Sequence, residues 1–182
     1  ADYVLERIRS KEFDFVFHNA AIPRVSYSVE NPHETTEVNI SRTVKLLEAC
    51  SGNIKRFIFA SSSSVYGGAD QMPTPPSHLK SPKSPYAWQK SAIEDLAKIF
   101  SSLYGDDIVC LRYFNVFGPG QFGSSAYSTA ISAWCNAIKK NLPLRSDGTG
   151  EQTRDMCFID NVVQANIKAS QRKEKFAGNC LN

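Results

Sequence analysis

Ser84-Pro85-Tyr86-Ala87-Trp88-Gln89-Lys90 opens a helix that lies between two short apolar runs, Arg56-Phe57-Ile58-Phe59-Ala60 and Ile108-Val109-Cys110-Leu111-Arg112-Tyr113. Behind Lys90, the residues Ile93, Leu96, Ala97, Phe100 and Leu103 recur at helical spacing, and Gly105 ends the pattern. The flanking runs have the near-continuous apolar character of parallel strands covered on both faces. Toward the N-terminus, Phe13-Asp14-Phe15-Val16-Phe17 is a third such run. A helix is predicted from about His33 to Ser51, with Ile40, Val44, Leu47 and Cys50 as its apolar stripe and Gly52 as its stop. Strand, helix, strand, helix, strand in this order predicts an α/β chain: a parallel sheet with helices on both faces. In such sheets ligands sit at the carboxyl ends of the strands.

Residues 2–11 read as the end of a helix, and residues 22–32 as a loop with Pro23 and Pro32 as breakers. Five prolines between 69 and 85 make a loop that can form a wall but not a strand. After Gly118 the character changes. A helix is expected from about Tyr127 to Lys140, then a short extended piece at Leu142-Pro143-Leu144. Turns follow at Asp147-Gly148 and Thr149-Gly150, then a strand within Thr153–Phe158. Asp160 reads as the N-cap of a helix carrying Val162, Val163, Ala165 and Ile167, and a further strand begins near Gly178. The division expected is residues 1–118 as one portion and 119–182 as another, with later elements returning to the first.

Composition narrows the functions. With 182 residues and 42% hydrophobic content, the chain can bury a sizeable core. Its 21 basic and 18 acidic residues are spread out, which argues against nucleic acid as a partner. No apolar run is long enough to span a bilayer, so no membrane role is expected. The five cysteines are scattered and lack CxxC spacing. That argues against a disulfide framework and against a zinc site, so no metal is expected, and points to a cytoplasmic setting.

Chemistry concentrates at the strand ends and at the start of the Tyr86 helix. Tyr86 and Lys90, four residues apart, share a helix face. A phenol titrates near 10 in water. A neighbouring ammonium would favour the phenolate and fit it for general-base work. The competing reading is a chance pair on a solvated face. The strands end in His18-Asn19-Ala20-Ala21, in Ser61 to Ser64, and in Phe114-Asn115-Val116-Phe117-Gly118, all polar, small or glycine-bearing.

The segments Phe57 to Gly67, Ser84 to Lys90, Leu111 to Gly118 and Thr153-Arg154-Asp155 together resemble the extended short-chain dehydrogenase/reductases. Their spacing is most similar to the UDP-hexose and UDP-N-acetylhexosamine 4-epimerases. The resemblance implies a Rossmann-like doubly wound sheet with part of a small α+β substrate domain, NAD as cofactor and a UDP-sugar as substrate. It makes Tyr86 the acid and base on the sugar 4-hydroxyl, with Lys90 holding the nicotinamide ribose. Ser62 becomes the catalytic serine, and Ser64 a second polar group facing the sugar. A serine hydroxyl there orients the substrate and donates to a developing oxyanion; the alternative is a solvated turn of four serines.

By the same resemblance, His18, Asn19, Ala20 and Ala21 lie along the dinucleotide, with Ala60 and Ser61 at the next strand end. Asn39 matches an asparagine near the cofactor, or is a surface helix residue. Arg42 stands where the family has a small residue, which weakens the match there. Tyr113 lies beside the nicotinamide, or is simple core. Asn115 bonds the sugar-nucleotide phosphates, or caps a strand. Arg154 pairs with the diphosphate, or with Asp155. The resemblance also implies a homodimer through the helices near 33–51 and 84–104, for which Leu46, Ala49, Ile93 and Ile99 offer apolar groups on more than one face.

None of the ten glycines forms the phosphate-binding GxxGxxG turn that a dinucleotide fold places after its first strand. The expectation is an internal piece of a longer enzyme, lacking the first βαβ units and unable to hold NAD alone. Two other readings compete with the epimerase. A 4,6-dehydratase, decarboxylase or reductase of the same family would usually carry acids after the catalytic serine, where Ser63 and Ser64 stand. A non-catalytic dinucleotide-binding regulator would usually lack the tyrosine or the lysine. The motifs leave open which UDP-sugar is used.

Overall fold

The computed structural model describes residues 2–123, 128–146 and 148–182. In chain order it begins with α1 (Asp2–Arg9), β1 (Phe15–His18), α2 (Val25–Glu30) and α3 (Pro32–Thr36). A π-helical turn, Glu37–Ser41, joins α3 to α4 (Arg42–Cys50). Then come β2 (Arg56–Ser62), a 3-10 turn at Ser63–Tyr66, α5 (Pro85–Tyr104), β3 (Ile108–Tyr113) and β4 (Asn115–Phe117). The chain closes with α6 (Ala130–Lys139), β5 (Met156–Phe158), α7 (Ile159–Gln171) and β6 (Cys180–Leu181). Two compact units form: Ala1–Tyr113 with Asn166–Asn182, and Phe114–Ala165.

The larger unit holds a parallel sheet in the order β1-β2-β3-β6. Strand alternation sorts its side chains onto two faces. Phe57, Phe59, Ile108 and Cys110 pack with Leu5 and Ile8 of α1, Leu47 of α4, and Ile93 and Ala97 of α5. Ile58, Val109 and Leu111 pack the other way, against Ala169 of α7 and Phe176. Each large apolar side chain so buried contributes about 1.5–3 kcal/mol. The expected α/β fold, a parallel sheet covered on both faces, is therefore observed.

One buried charge ties the faces' far end together. Arg56, at the start of β2, donates to Asp107 (2.6 Å) and to the carbonyls of Ala169, Arg172 (2.8 Å) and Glu174 (3.0 Å). The other oxygen of Asp107 accepts from the Phe176 amide at 2.7 Å. Gly178 (φ 79°) lies so close to α5 that a Cβ would come within 2.7 Å of Lys98 backbone.

Several local expectations are corrected. Residues 22–32 are not all loop: α2 forms between the two prolines, where Ser28 Oγ donates to the Val25 carbonyl. The helix expected from His33 begins at Pro32, which suits a first helical position, and widens into the π turn around Asn39. Its side chain is drawn inward there. Strand β2 runs on through Ser61 and Ser62, both paired to β3. The α5 stripe holds as far as Phe100, but Leu103 is exposed. Ile93 and Ala49 are core, and Leu46 packs against it, so of the residues offered for a dimer only Ile99 is on the surface.

In the smaller unit β4 pairs with β5 in parallel, and Asn115 lies opposite Met156. Only Met156–Phe158 of the expected strand is extended, and Leu142-Pro143-Leu144 forms no regular element. Asp160 lies inside the first turn of α7 rather than capping it, where its charge still suits the helix dipole. The helix expected from Tyr127 begins at Ala130; Tyr127 and Asp147 lie outside the described residues.

Candidate active site

Ser84 caps α5: its hydroxyl accepts from the Ala87 amide at 3.1 Å, and Pro85 takes the first helical position. The next amide, that of Tyr86, donates to Ser28 Oγ at 3.1 Å. The start of the helix is thus fixed to both its cap and α2. From it Tyr86, Lys90 and Glu94 descend one face, each a turn apart and each buried.

The Tyr86 phenol is buried, with the Ser62 side chain as the neighbour that favours its ionised form. Burial pushes the phenol above its usual 10, and Ser62 works against that rise. This differs from the expectation that Lys90 lowers the phenol. The Lys90 ammonium lies 5.7 Å from the Tyr86 ring centroid, and it donates instead to the Ala60 carbonyl at 2.7 Å. It also rides 4.6 Å over the Phe59 ring. Burial brings the Lys90 pKa down to about 8.

Ser62 ends β2 in extended conformation, and its hydroxyl accepts from the Ser64 amide at 3.2 Å. Ser64 is on the 3-10 turn, so the strand alternation that would place it beside Ser62 does not reach it: β2 ends at Ser62 itself. The Ser64 hydroxyl oxygen is buried and has no hydrogen-bond partner. A buried hydroxyl of that kind is costly unless something bonds it. Gly67 closes the turn with φ 66°, and a Cβ there would strike the Ser81 carbonyl at 1.8 Å. The proline loop is thereby held against the serine turn, with the Ser81 amide donating to the Val65 carbonyl at 2.9 Å.

The β1 end is built differently from the sequence reading. The His18 imidazole turns to Thr43 of α4, Nε2 to Oγ1 2.8 Å, and packs beside Phe57 and Phe59. Burial first, and Lys90 second, bring its pKa down to about 4. Arg42 is exposed; its neighbour Thr43 supplies the close packing at this point. Asn39 is a buried staple: it accepts from the Ile22 amide (2.8 Å) and donates to the Ile22 carbonyl (3.1 Å) and to Gln89 Oε1 (2.8 Å). It fixes the backbone just beyond Asn19, Ala20 and Ala21, of which Asn19 and Ala20 are exposed. Tyr113, the register partner of Ser62, donates to Asn19 Oδ1 at 3.3 Å and accepts from Asn166 Nδ2 at 2.7 Å.

Ser61 hides its hydroxyl. It donates to Glu94 Oε1 at 2.6 Å, and Arg112 grips both oxygens of Glu94 at 2.8 Å. Sequence reasoning passed over Glu94, Arg112, Gln89, Thr43 and Ser28. Glu94 and Arg112 did leave a signal: one is a charge on the buried helix face eight residues after Tyr86, the other a charge inside an apolar strand. In the smaller unit Asn115 donates to the Asp155 carbonyl at 2.9 Å, and exposed Arg154 donates to the Thr153 carbonyl at 2.7 Å.

The NAD dependent epimerase/dehydratase family matches residues 2–182. A UDP-glucuronate 4-epimerase of Thermodesulfobacterium geofontis is 35% identical over 84% of this chain and 46% of its own. Among solved structures, a UDP-N-acetylglucosamine 4-epimerase from Methanobrevibacter ruminantium, in complex with UDP-N-acetylmuramic acid, superposes with a TM-score of 0.88. It is 40% identical, over 92% of this chain and 55% of that one. A UDP-glucuronic acid 4-epimerase from Bacillus cereus, in complex with UDP-glucuronic acid and NAD, gives a TM-score of 0.82. It is 33% identical, over 96% of this chain and 55% of that one. The chain spans about half the length of the curated relatives it matches.

Proposed function

The chain belongs to the NAD dependent epimerase/dehydratase family, and we propose that the protein carrying it is a UDP-sugar 4-epimerase with NAD as cofactor. The observation that carries this reading is that Tyr86 and Lys90 are both buried, one turn apart on α5, with Ser62 at the carboxyl end of β2 as the neighbour that favours the Tyr86 phenolate. The residues present fit the nicotinamide-ribose half of the cofactor. Lys90 is a buried ammonium whose pKa near 8 leaves it mostly charged at neutral pH. The backbone of Asn19-Ala20, with small side chains beside it, lets a flat ligand approach. When bound, NAD accepts a hydride from sugar C4 and returns it.

Tyr86 takes the proton of the 4-hydroxyl and gives it back. Ser62 does two jobs: it favours the phenolate, and its hydroxyl orients that of the sugar. Ser64, buried without a partner, is a ready donor to the sugar. Asn115 and Arg154 are assigned to the diphosphate, for which a guanidinium has the right fork of donors. Ser63 and Ser64 follow Ser62 where elimination would want an acid, so dehydration is not favoured. The protein is read as cytoplasmic, its five cysteines being free thiols. It is also read as a homodimer through α4 and α5, since Trp88, Ile99, Leu103 and Tyr104 of α5 are exposed.

The test is Tyr86→Phe in the full-length protein. The ring stays and the proton is lost, so kcat is expected to fall by at least about a hundredfold with bound NAD unchanged. Near-normal kcat in that variant would overturn the assignment.

A further inference from the structure

Glu94 and Arg112 form a buried ion pair that the proposed chemistry does not use. Glu94 is fully buried, and Arg112 nearly so. Burial pushes the Glu94 carboxyl up, but Arg112, Ser61 and Lys80 more than offset it, so the carboxyl stays below its usual range. A buried pair is weak evidence for stability, because apolar residues of like volume often serve as well. Its placement is more informative.

Ser61 and Arg112 are register partners on β2 and β3. The next rung is Ser62 and Tyr113. Glu94 binds both members of the lower rung, Ser61 Oγ at 2.6 Å and the Arg112 fork at 2.8 Å. The other arm of Arg112, Nη1, donates to Tyr66 Oη (2.6 Å) and to the Pro76 carbonyl (2.8 Å). Tyr66 ends the 3-10 turn that carries Ser63 and Ser64 and donates to Asn182 Oδ1 at 2.6 Å. Lys80 closes the outer side, 3.7 Å from Glu94 Oε2 and 2.6 Å from Asp95 Oδ1. The pair therefore clamps the chain on both sides of Ser62–Ser64: at Ser61 before it and at Tyr66 after it.

We propose that Glu94 and Arg112 are positioning residues that hold Ser62 and Ser64 in place for Tyr86 and the sugar. The proposal rests on the reading of Tyr86 and Ser62 given above. Glu94 offers two oxygens to three donors. Glutamine offers one oxygen and an amide that can only donate, so at least one of the three contacts must break.

The experiment compares Glu94→Gln with wild type in the full-length protein, using UDP-glucose, UDP-N-acetylglucosamine and UDP-glucuronic acid as probes. Rates are taken per folded molecule, well below the melting temperature. Loss of kcat on the order of tenfold to a hundredfold is expected, with KM and bound NAD unchanged. The pH at which Tyr86 becomes competent moves upward, because Ser62 no longer supports the phenolate. Wild-type kcat and pH profile in folded Glu94→Gln overturn the proposal. If that variant does not fold, Ser61→Ala decides: it keeps the ion pair and removes only the hydroxyl contact. A smaller loss of kcat with the same upward shift supports the proposal, and an unchanged profile overturns it. Tyr86→Phe, run beside them, separates the two ideas. If it stays active, the underlying site reading fails. If it is inactive while both other variants match wild type, only the positioning role fails.

Discussion

Tyr86 and Ser62 show how one neighbour changes what a buried phenol can do. Burial raises the phenol's pKa and Ser62 works to lower it. Ser62→Ala removes the lowering and leaves the burial, so the phenolate forms at higher pH. The alkaline rise of kcat should move upward in that variant, and a pH–rate profile measures it; a downward shift would mean that Ser62 destabilises the phenolate. His18 makes a second prediction, on stability. Folding holds its imidazole at about 4 against 6.5 in a free chain. Between those values the unfolded chain binds more protons. Stability therefore falls as pH drops below 6.5 and continues to fall to about 4, by at most about 1.4 kcal/mol per pH unit. His18→Gln, which cannot titrate, should flatten that limb in urea unfolding; an equally steep limb would assign the acid loss elsewhere. The shared buried face of Tyr86 and Lys90 was legible in the sequence from helical spacing, whereas Ser62 was singled out only through the family resemblance. The duties of His18 and Asn39 were not legible. Each side chain answers a partner far along the chain, Thr43 or Gln89, and no local pattern records such a meeting.

At the scale of elements, the sheet was legible because β1, β2 and β3 are short apolar runs separated by helical periodicity and breakers. The misreadings fall where a tertiary contact overrides the local signal. The π turn around Asn39 accompanies its bonds to Ile22 and Gln89. The helix α2 survives between two prolines with Ser28 bonded to its own first turn and to Tyr86. The extension of β2 through Ser61 and Ser62 follows from pairing with Arg112 and Tyr113, which polar serines alone do not announce. The buried Arg56 is the strongest element-level joint, since it binds Asp107 and three carbonyls at the end of α7 and beyond. Arg56→Ala leaves Asp107 buried without its cation and those carbonyls without a donor. A loss of about 3–5 kcal/mol is expected, read from the denaturation midpoint. A loss below about 1 kcal/mol would mean that water replaces the guanidinium with little penalty.

At the scale of the molecule, the chain carries Ser62 at the end of β2 and Tyr86 and Lys90 on α5, and spans about half the length of the curated relatives it matches. Its sequence holds no GxxGxxG turn. The family was legible because four motifs stand in order along one chain, which neither composition nor any single motif conveys. The central claim is the reaction itself. The most direct measurement is product analysis of the full-length protein, incubated with UDP-glucose, UDP-N-acetylglucosamine or UDP-glucuronic acid and followed by NMR and mass spectrometry. The predicted result is the C4 epimer, of unchanged mass, approaching equilibrium from either side with no net NADH. A product lighter by one water or by carbon dioxide, or a keto sugar accumulating with equal NADH, would contradict it.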